Sequence, residues 1–238
     1  MRGPAAGTAS MTYAALPSLM GRMNGDEKHA LAASSTIDVL WVLYDRILRV
    51  SAEHLDDANR DRFLLSKGHG PQAYYAVLAA KGFLDPDLLD GWGAVDSPLG
   101  YHPDRVLVPG VEISSGSLGH GLPIGVGVAL GLRAQANPVP RVIVMMGDGE
   151  FDEGSNHEAI ALAGRFGLDR LTAVVIDNDS ASHGWPGGIA RRFAVEGWHT
   201  AEVRGRDHDD IEAALTIPHP DRPHAVVVRV NDSPPAKP

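Results

Sequence analysis

The stretch MGDGEFDEGSNHEAI, residues 146–160, follows an apolar run and sets Asp148 between Gly147 and Gly149. Two glycines let a backbone come close to a ligand, and the amides opening the next segment can hold an anion. A carboxylate in such a loop repels a phosphate unless a cation stands between them. Oxygen donors suit hard ions, so Asp148 is a candidate ligand for Mg²⁺, which in turn would hold a diphosphate. A second oxygen ligand then belongs at the tip of the neighbouring strand, where Asn178 stands in VVIDNDS. The main-chain carbonyl of Ser180 is a candidate third ligand. Taken singly, GDG is also a turn tripeptide and DND a loop of good turn residues. The ordered series strand, GDG, helix, strand, Asn is far more specific.

Such ligands meet only if two strands lie side by side in parallel, and one helix plus one strand separates Gly149 from Asn178, the length that a βαβ unit needs. The chain supplies the pattern: strand RVIVMM, helix over about 154–166, strand LTAVVID, helix near 189–195, strand TAEVR, helix DHDDIEAAL and strand HAVVVRV. This alternation predicts an α/β fold with a parallel sheet and helices on its faces, binding ligands at the carboxyl ends of its strands. Upstream, DEKHALAASSTIDVLWVLYDRILRV reads as an amphipathic helix with acids early and arginines late. A polar loop ending in SKGHG precedes a second helix that starts beside Pro71 and ends at Gly82. Residues 85–116 form a long irregular stretch, more often functional than idle at that length. SLGHGLPIGVGVALGLRAQ then reads as a helix whose glycines imply close backbone packing.

With 238 residues, 44% of them apolar, the chain can bury the core of one large α/β domain. Its formal charge of −9 is spread without a basic block, which argues against nucleic acid as a partner. The lack of cysteine removes disulfides, thiolate nucleophiles and Cys-ligated zinc, and fits a cytoplasmic protein. Neither a signal peptide nor a membrane span is read from the start of the chain. The expected organisation is a flexible leader over 1–25, a domain over 26–231 and a proline-rich tail over 232–238.

The segments LLSKGHG, GVEISSGSLGHGLPIGVGVALG and GDGEFDEGSNHEAIALAGRFGLDRLTAVVIDND carry a resemblance. From about residue 29 to 230 the chain resembles the thiamine-diphosphate enzymes and, within them, the transketolase family. It is similar to that family's amino-terminal diphosphate-binding portion, made as a separate chain. The resemblance implies a three-layer αβα fold with a mostly parallel sheet, and thiamine diphosphate with Mg²⁺ as cofactors. It implies transfer of a two-carbon ketol unit between sugar or sugar-phosphate substrates through the cofactor's ylid. It also implies a pyrimidine-domain partner chain, whose glutamate activates the cofactor, in a heterotetramer.

Residue by residue, the resemblance makes Asp148, Asn178 and the Ser180 carbonyl the metal ligands. Gly147, Gly149 and Glu150 fall in the diphosphate loop, with His69 near the same group. Gly116 and Leu118 meet the aminopyrimidine side, Glu153 matches a buried acid that links paired sites, and His102 faces substrate. His29 aligns with a further substrate histidine, although KHALA lacks the glycines of the family pattern there. His120 stands for a usual glutamine, His183 and Trp185 differ from the usual residues after the metal loop, and a histidine expected after Val230 has no counterpart. His157 and Glu158 read as ordinary helix positions. Rival functions are another thiamine-diphosphate component, such as a 2-oxoacid decarboxylase or carboligase; a metal-dependent hydrolase using Asp148, Asp152, His157 and His69; and a non-catalytic cofactor-binding protein.

Overall fold

Each strand of a sheet turns successive side chains to opposite faces. In this chain both faces are apolar. Val142, Val144 and Met146 enter one core with Leu122, Val126, Ile160 and Phe193, whereas Ile143 and Met145 enter another with Leu40, Tyr74, Leu78 and Ile211. Strands covered on both sides read as continuous apolar runs, which is why RVIVMM and LTAVVID are so uniform.

The structure, a computed structural model, describes residues 11–24 and 33–230. The strands are β1 (Arg62–Leu65), β2 (Val142–Gly147), β3 (Leu171–Asp177), β4 (His199–Arg204) and β5 (His224–Arg229). They form one five-stranded sheet in the order β1-β2-β3-β5-β4, every pair parallel. On one face lie α1 (Leu16–Gly21), α2 (Ile37–Val42), α3 (Gln72–Ala80) and α7 (His208–Leu215). On the other lie α4 (Gly121–Ala134), α5 (Gly154–Phe166) and α6 (Gly188–Ala194). The expected three-layer α/β fold is the one found. Among the described residues no helix is long and apolar enough to cross a membrane.

Three local expectations are corrected. First, the expected polar loop before SKGHG contains β1, because four residues of buried strand carry too little alternation to be recognised. Second, the helix expected across 26–50 is, in its described part, α2 followed by a π turn over Leu43–Ile47, closed where Leu48 N donates to Leu43 O at 2.7 Å. Third, residues 11–24, expected within a flexible leader, are built into the core. Leu16, Leu19 and Met23 are buried, and Met11 N donates to Ala80 O at 3.1 Å. Their three- and four-residue spacing is an amphipathic signal that the surrounding Gly and Pro obscure.

The glycines of α4 do pack closely. A Cβ built on Gly125 would lie 2.5 Å from Val144 Cγ2, so α4 sits directly on β2. The opposite end of the sheet is fastened by Asp61, whose side chain is fully buried between Arg49 and Arg141. Arg49 Nη2 and Arg141 N donate to Oδ1 at 2.9 and 2.8 Å, and Arg141 Nη2 donates to Oδ2 at 2.6 Å. This clamp joins the end of the π turn to the entries of β1 and β2.

Burial alone would raise the Asp61 carboxyl, but the bonds from Arg141 and Arg49 outweigh it and hold the group at about 2, below its ordinary 3.8. A carboxylate depressed in this way stabilises the fold fully above its unfolded value and loses that contribution as pH falls through its folded value. Denaturant titrations should therefore show about 2 kcal/mol lost between pH 3.8 and 2 through this group. Asp61→Asn should abolish that part of the acid slope and cost roughly 3 kcal/mol at neutral pH, since it leaves two guanidinium groups without their carboxylate.

Candidate functional site

The parallel register sets the tips of β1, β2 and β3 next to one another, with Leu65 beside Met145 and Gly147 beside Ile176. The three segments that leave these tips are 66–70, 148–152 and 178–187. They hold most of the residues singled out from sequence.

Asp148 opens a 3₁₀ turn over Asp148–Asp152 and is buried. Its carboxylate accepts from the segment after β3: Ser180 N and Ala181 N donate to Oδ2 at 2.7 and 3.0 Å, and Ser180 Oγ donates to Oδ1 at 2.6 Å. Gly149 N donates to Oδ1 at 2.9 Å. Asp179, with φ of 57°, supplies the left-handed turn that brings Ser180 back onto Asp148. Asn178 is half-buried at the same tip. The expected pairing of these tips is thus present as a direct contact between Asp148 and Ser180. Burial, followed by the neighbouring Asp148 charge, pushes the Asp177 carboxyl up. Negative charge is crowded here, and all the donor atoms are hard oxygens, the set that suits a divalent cation.

Glu150 behaves differently from a loop ligand. It is 2% exposed, and its carboxylate accepts from three chain segments. Ser66 Oγ after β1 and Gly119 N before α4 donate to Oε1 at 2.6 and 3.1 Å, and Gly147 N donates to Oε2 at 3.1 Å. Ser66 Oγ accepts in turn from Gly121 N at 3.1 Å, and Asn156 Nδ2 donates to Glu150 O at 2.6 Å. Burial pushes the Glu150 carboxyl up, against the bonds from Ser66, Gly147 and Gly119 and the charge of Lys67. Its side chain ties the candidate cofactor loops together from beneath. Sequence reasoning misses Ser66 and Asn156, since nothing local marks a serine or asparagine as the partner of a distant acid.

His69 and His102 are brought together, both exposed, with ring centroids 5.6 Å apart. Gly116, with φ of 130°, makes this possible: a Cβ there would lie 2.9 Å from His102 Cδ2, and one on Gly68 would lie 2.8 Å from Gly116 N. The backbone before His102 is fixed at Gly100 O, which accepts from Tyr75 OH at 3.0 Å and Trp92 Nε1 at 3.1 Å. Leu118 is half-buried in the same crossing segment, and His120 is exposed at the start of α4.

Two expectations are revised. Glu153, expected to match a buried acid, is exposed in this chain and precedes α5; the buried acid is Glu150. His157 is more than an ordinary helix position. Its Nε2 donates to Phe151 O at 2.8 Å, its Nδ1 accepts from Arg192 Nε at 3.1 Å, and its ring lies 4.6 Å from that of Trp185. It braces the segments after β2 and β3 against each other. The hydrolase constellation does not form, because among the described residues no group of three His, Cys, Asp or Glu side chains could hold a metal. His183 is exposed, and His29 lies outside the described residues. Cavities of about 200 and 270 Å³ occur at the opposite, amino-terminal edge of the sheet, around Leu168 and His219, remote from the strand tips.

A parallel sheet flanked on both faces, with a glycine-bounded acid at one central strand tip and oxygen donors at the next, defines a cofactor-binding α/β domain of the strand-tip type. Residues 23–232 match the family described as transketolase, thiamine diphosphate binding domain, and the chain belongs to that family. It is 63% identical to "Ferredoxin fas2" of Rhodococcoides fascians, over 92% of this chain and 72% of that protein. It is 37% identical to one of the named subunits of the apulose-4-phosphate transketolase of Phocaeicola vulgatus, over 74% of this chain and 64% of the relative. Among solved structures, a Pichia stipitis transketolase variant in complex with fructose 6-phosphate superposes with a TM-score of 0.77 at 25% identity. That match covers 91% of this chain but 36% of the solved one. The chain therefore spans about a third of a solved transketolase.

The Ser66–Glu150 bond generates a test. Ser66→Ala and Glu150→Gln should each cost about 1–3 kcal/mol in denaturant unfolding, because each leaves buried donors or acceptors unmatched. Since both act through one set of bonds, the double variant should lose less than the sum, with a coupling on the order of 1 kcal/mol. Simple additivity would show that the clasp carries no cooperative energy.

Proposed function

We propose that this chain is the diphosphate- and Mg²⁺-binding subunit of a split, transketolase-like enzyme. On this reading it transfers a two-carbon ketol unit between sugar or sugar-phosphate substrates, and a pyrimidine-domain partner chain completes its site, in a heterotetramer. The observation that carries the reading is the contact of Asp148 with Ser180 across adjoining strand tips. The donor types fit the ion. Asp148, the Asn178 amide oxygen and the Ser180 carbonyl would hold Mg²⁺, and two amides already steady Oδ2 of Asp148.

When bound, thiamine diphosphate supplies the carbon nucleophile and electron sink that ketol transfer requires. The chain's own residues bind and orient. The Gly149 amide opens the turn on which the diphosphate would rest, and Gly147 lets it approach the backbone. Gly116 and Leu118 line the aminopyrimidine side. The exposed His69 and His102 stand above the tips, where ring nitrogens can hold or pass a proton to a substrate oxygen. Glu150 keeps the loops in register without touching the ligand. The exposed strand-tip surface supports a site shared with a second chain, as does the naming of two relatives as subunits of a larger transketolase.

One observation favours a second reading, a thiamine-diphosphate component acting on a 2-oxoacid or as a specialised carboligase. The relative at 63% identity bears the name ferredoxin, whereas those named as transketolase subunits stand at 37% and 34%. This chain has no cysteine, so it cannot itself ligate an iron–sulfur cluster through thiolates.

Reconstitution separates the readings. The chain with thiamine diphosphate and Mg²⁺ should be inactive until the pyrimidine-domain chain is added, and should then consume a ketose donor without releasing carbon dioxide. Carbon dioxide release from a 2-oxoacid would establish the second reading, and ketol transfer by the chain alone would refute the split site. Asp148→Ala should weaken Mg²⁺-dependent cofactor binding by on the order of 100-fold in calorimetry. Unchanged affinity would remove Asp148 from the metal.

A further inference from the structure

Lys67 has no role in the reading above, yet it is 8% exposed in a loop at the mouth of the site. Lysines are almost never buried without a charge to face. The backbone at the tip of β1 fixes its course: Ser66 N and Lys67 N both donate to Met145 O, at 2.8 and 3.2 Å. Its stem then runs over the tip of β2, where a Cβ on Gly147 would lie 3.5 Å from each of Lys67 Cγ, Cδ and Cε. A glycine at 147 therefore leaves room for the methylenes to pass toward Asp148. Burial lowers the Lys67 pKa, and the charges of Asp148 and Glu150 oppose that shift, so the ammonium lies among the acids of the metal loop.

Resting on the proposed function, we infer that Lys67 is a direct ligand of the cofactor's diphosphate, a second fixed positive charge beside the metal ion. The charge balance requires such a group. Asp148, Glu150, Asp177 and Asp179 already gather at these tips in a chain of net charge −9, and a diphosphate adds several negative charges more. One divalent ion bound by Asp148 cannot offset both. His69 and His102 carry no permanent charge, whereas a lysine held by its stem against Gly147 presents a point charge at a defined place.

A plainer role exists, in which Lys67 only balances Glu150, and a charge cycle distinguishes the two. Inorganic pyrophosphate with saturating Mg²⁺ is titrated calorimetrically into the full chain, and thiamine diphosphate into the chain with its partner. Lys67→Met should weaken both by roughly 10- to 100-fold, and the same loss should persist in a Glu150→Gln background. A loss that vanishes in that background would overturn the inference, as would wild-type affinity in Lys67→Met. Lys67→Gln, which keeps a polar tip, gives the same comparison if the methionine variant melts too early. Wild-type chain that binds neither anion in the presence of Mg²⁺ would overturn the functional reading, and the Lys67 role with it.

Discussion

The geometry of the site depends on one buried carboxylate, that of Glu150. A charged group in an apolar interior is costly unless its lone pairs are met. Here they are met by Ser66, Gly119 and Gly147, each from a different segment leaving or approaching a strand tip. To satisfy Glu150 the chain must bring SKGHG, GSLGHG and GDG to fixed distances from one another. The requirement that keeps the acid from destabilising the fold therefore sets the spacing of His69, Gly116 and Asp148. Asn156, on the first turn of α5, closes the same arrangement from below by donating to the Glu150 carbonyl.

Above that clasp the electrostatics run the other way. Asp148 and its neighbours crowd negative charge at a place built for an anion, so the site is organised around cations that come between. Ser180 stands where the two demands meet. Its amide and hydroxyl satisfy Asp148, and its carbonyl lies at the same tip, where a metal ion would need it. Asp179 makes this possible by taking a left-handed conformation that most residues avoid. Farther out, His157 and Trp185 hold the two metal-loop segments to one another through ring contact and a bond to Phe151 O. The loop after β3 is thus positioned from both its start and its end.

What can be read from sequence is what local chemistry marks. A glycine–aspartate–glycine turn after an apolar run, with an asparagine one βαβ unit later, announces adjoining strand tips, and the structure places Asp148 against Ser180 accordingly. Helices over 72–80, 121–134 and 154–166 follow from periodicity and glycine punctuation. Long-range pairing leaves no such mark. Ser66 and Glu150 are 84 residues apart, so neither predicts the other, and Glu150 groups with ligand-binding residues only because it stands next to Gly149. Likewise β1 is too short to show a period, and the helix at 16–21 is hidden among glycines and prolines. The same limit applies to Glu153, whose resemblance to a buried acid describes an environment that one chain does not create.

The position of that acid bears on the architecture of the whole enzyme. A single domain of this fold ends its strands in an open row of loops, and here the residues with chemical potential, His69, His102, His120 and Glu153, all face outward from that row. The enclosed volumes are at the other edge of the sheet. A reactive carbon nucleophile needs protection from water and side reactions, which an open row does not provide by itself. Under the proposed function, the buried network around Glu150 prepares one half of a cavity, and a second surface must supply the other. The chain's internal order is therefore concentrated where it fixes the diphosphate loops, while the groups that would meet substrate are left at the surface for a partner to cover.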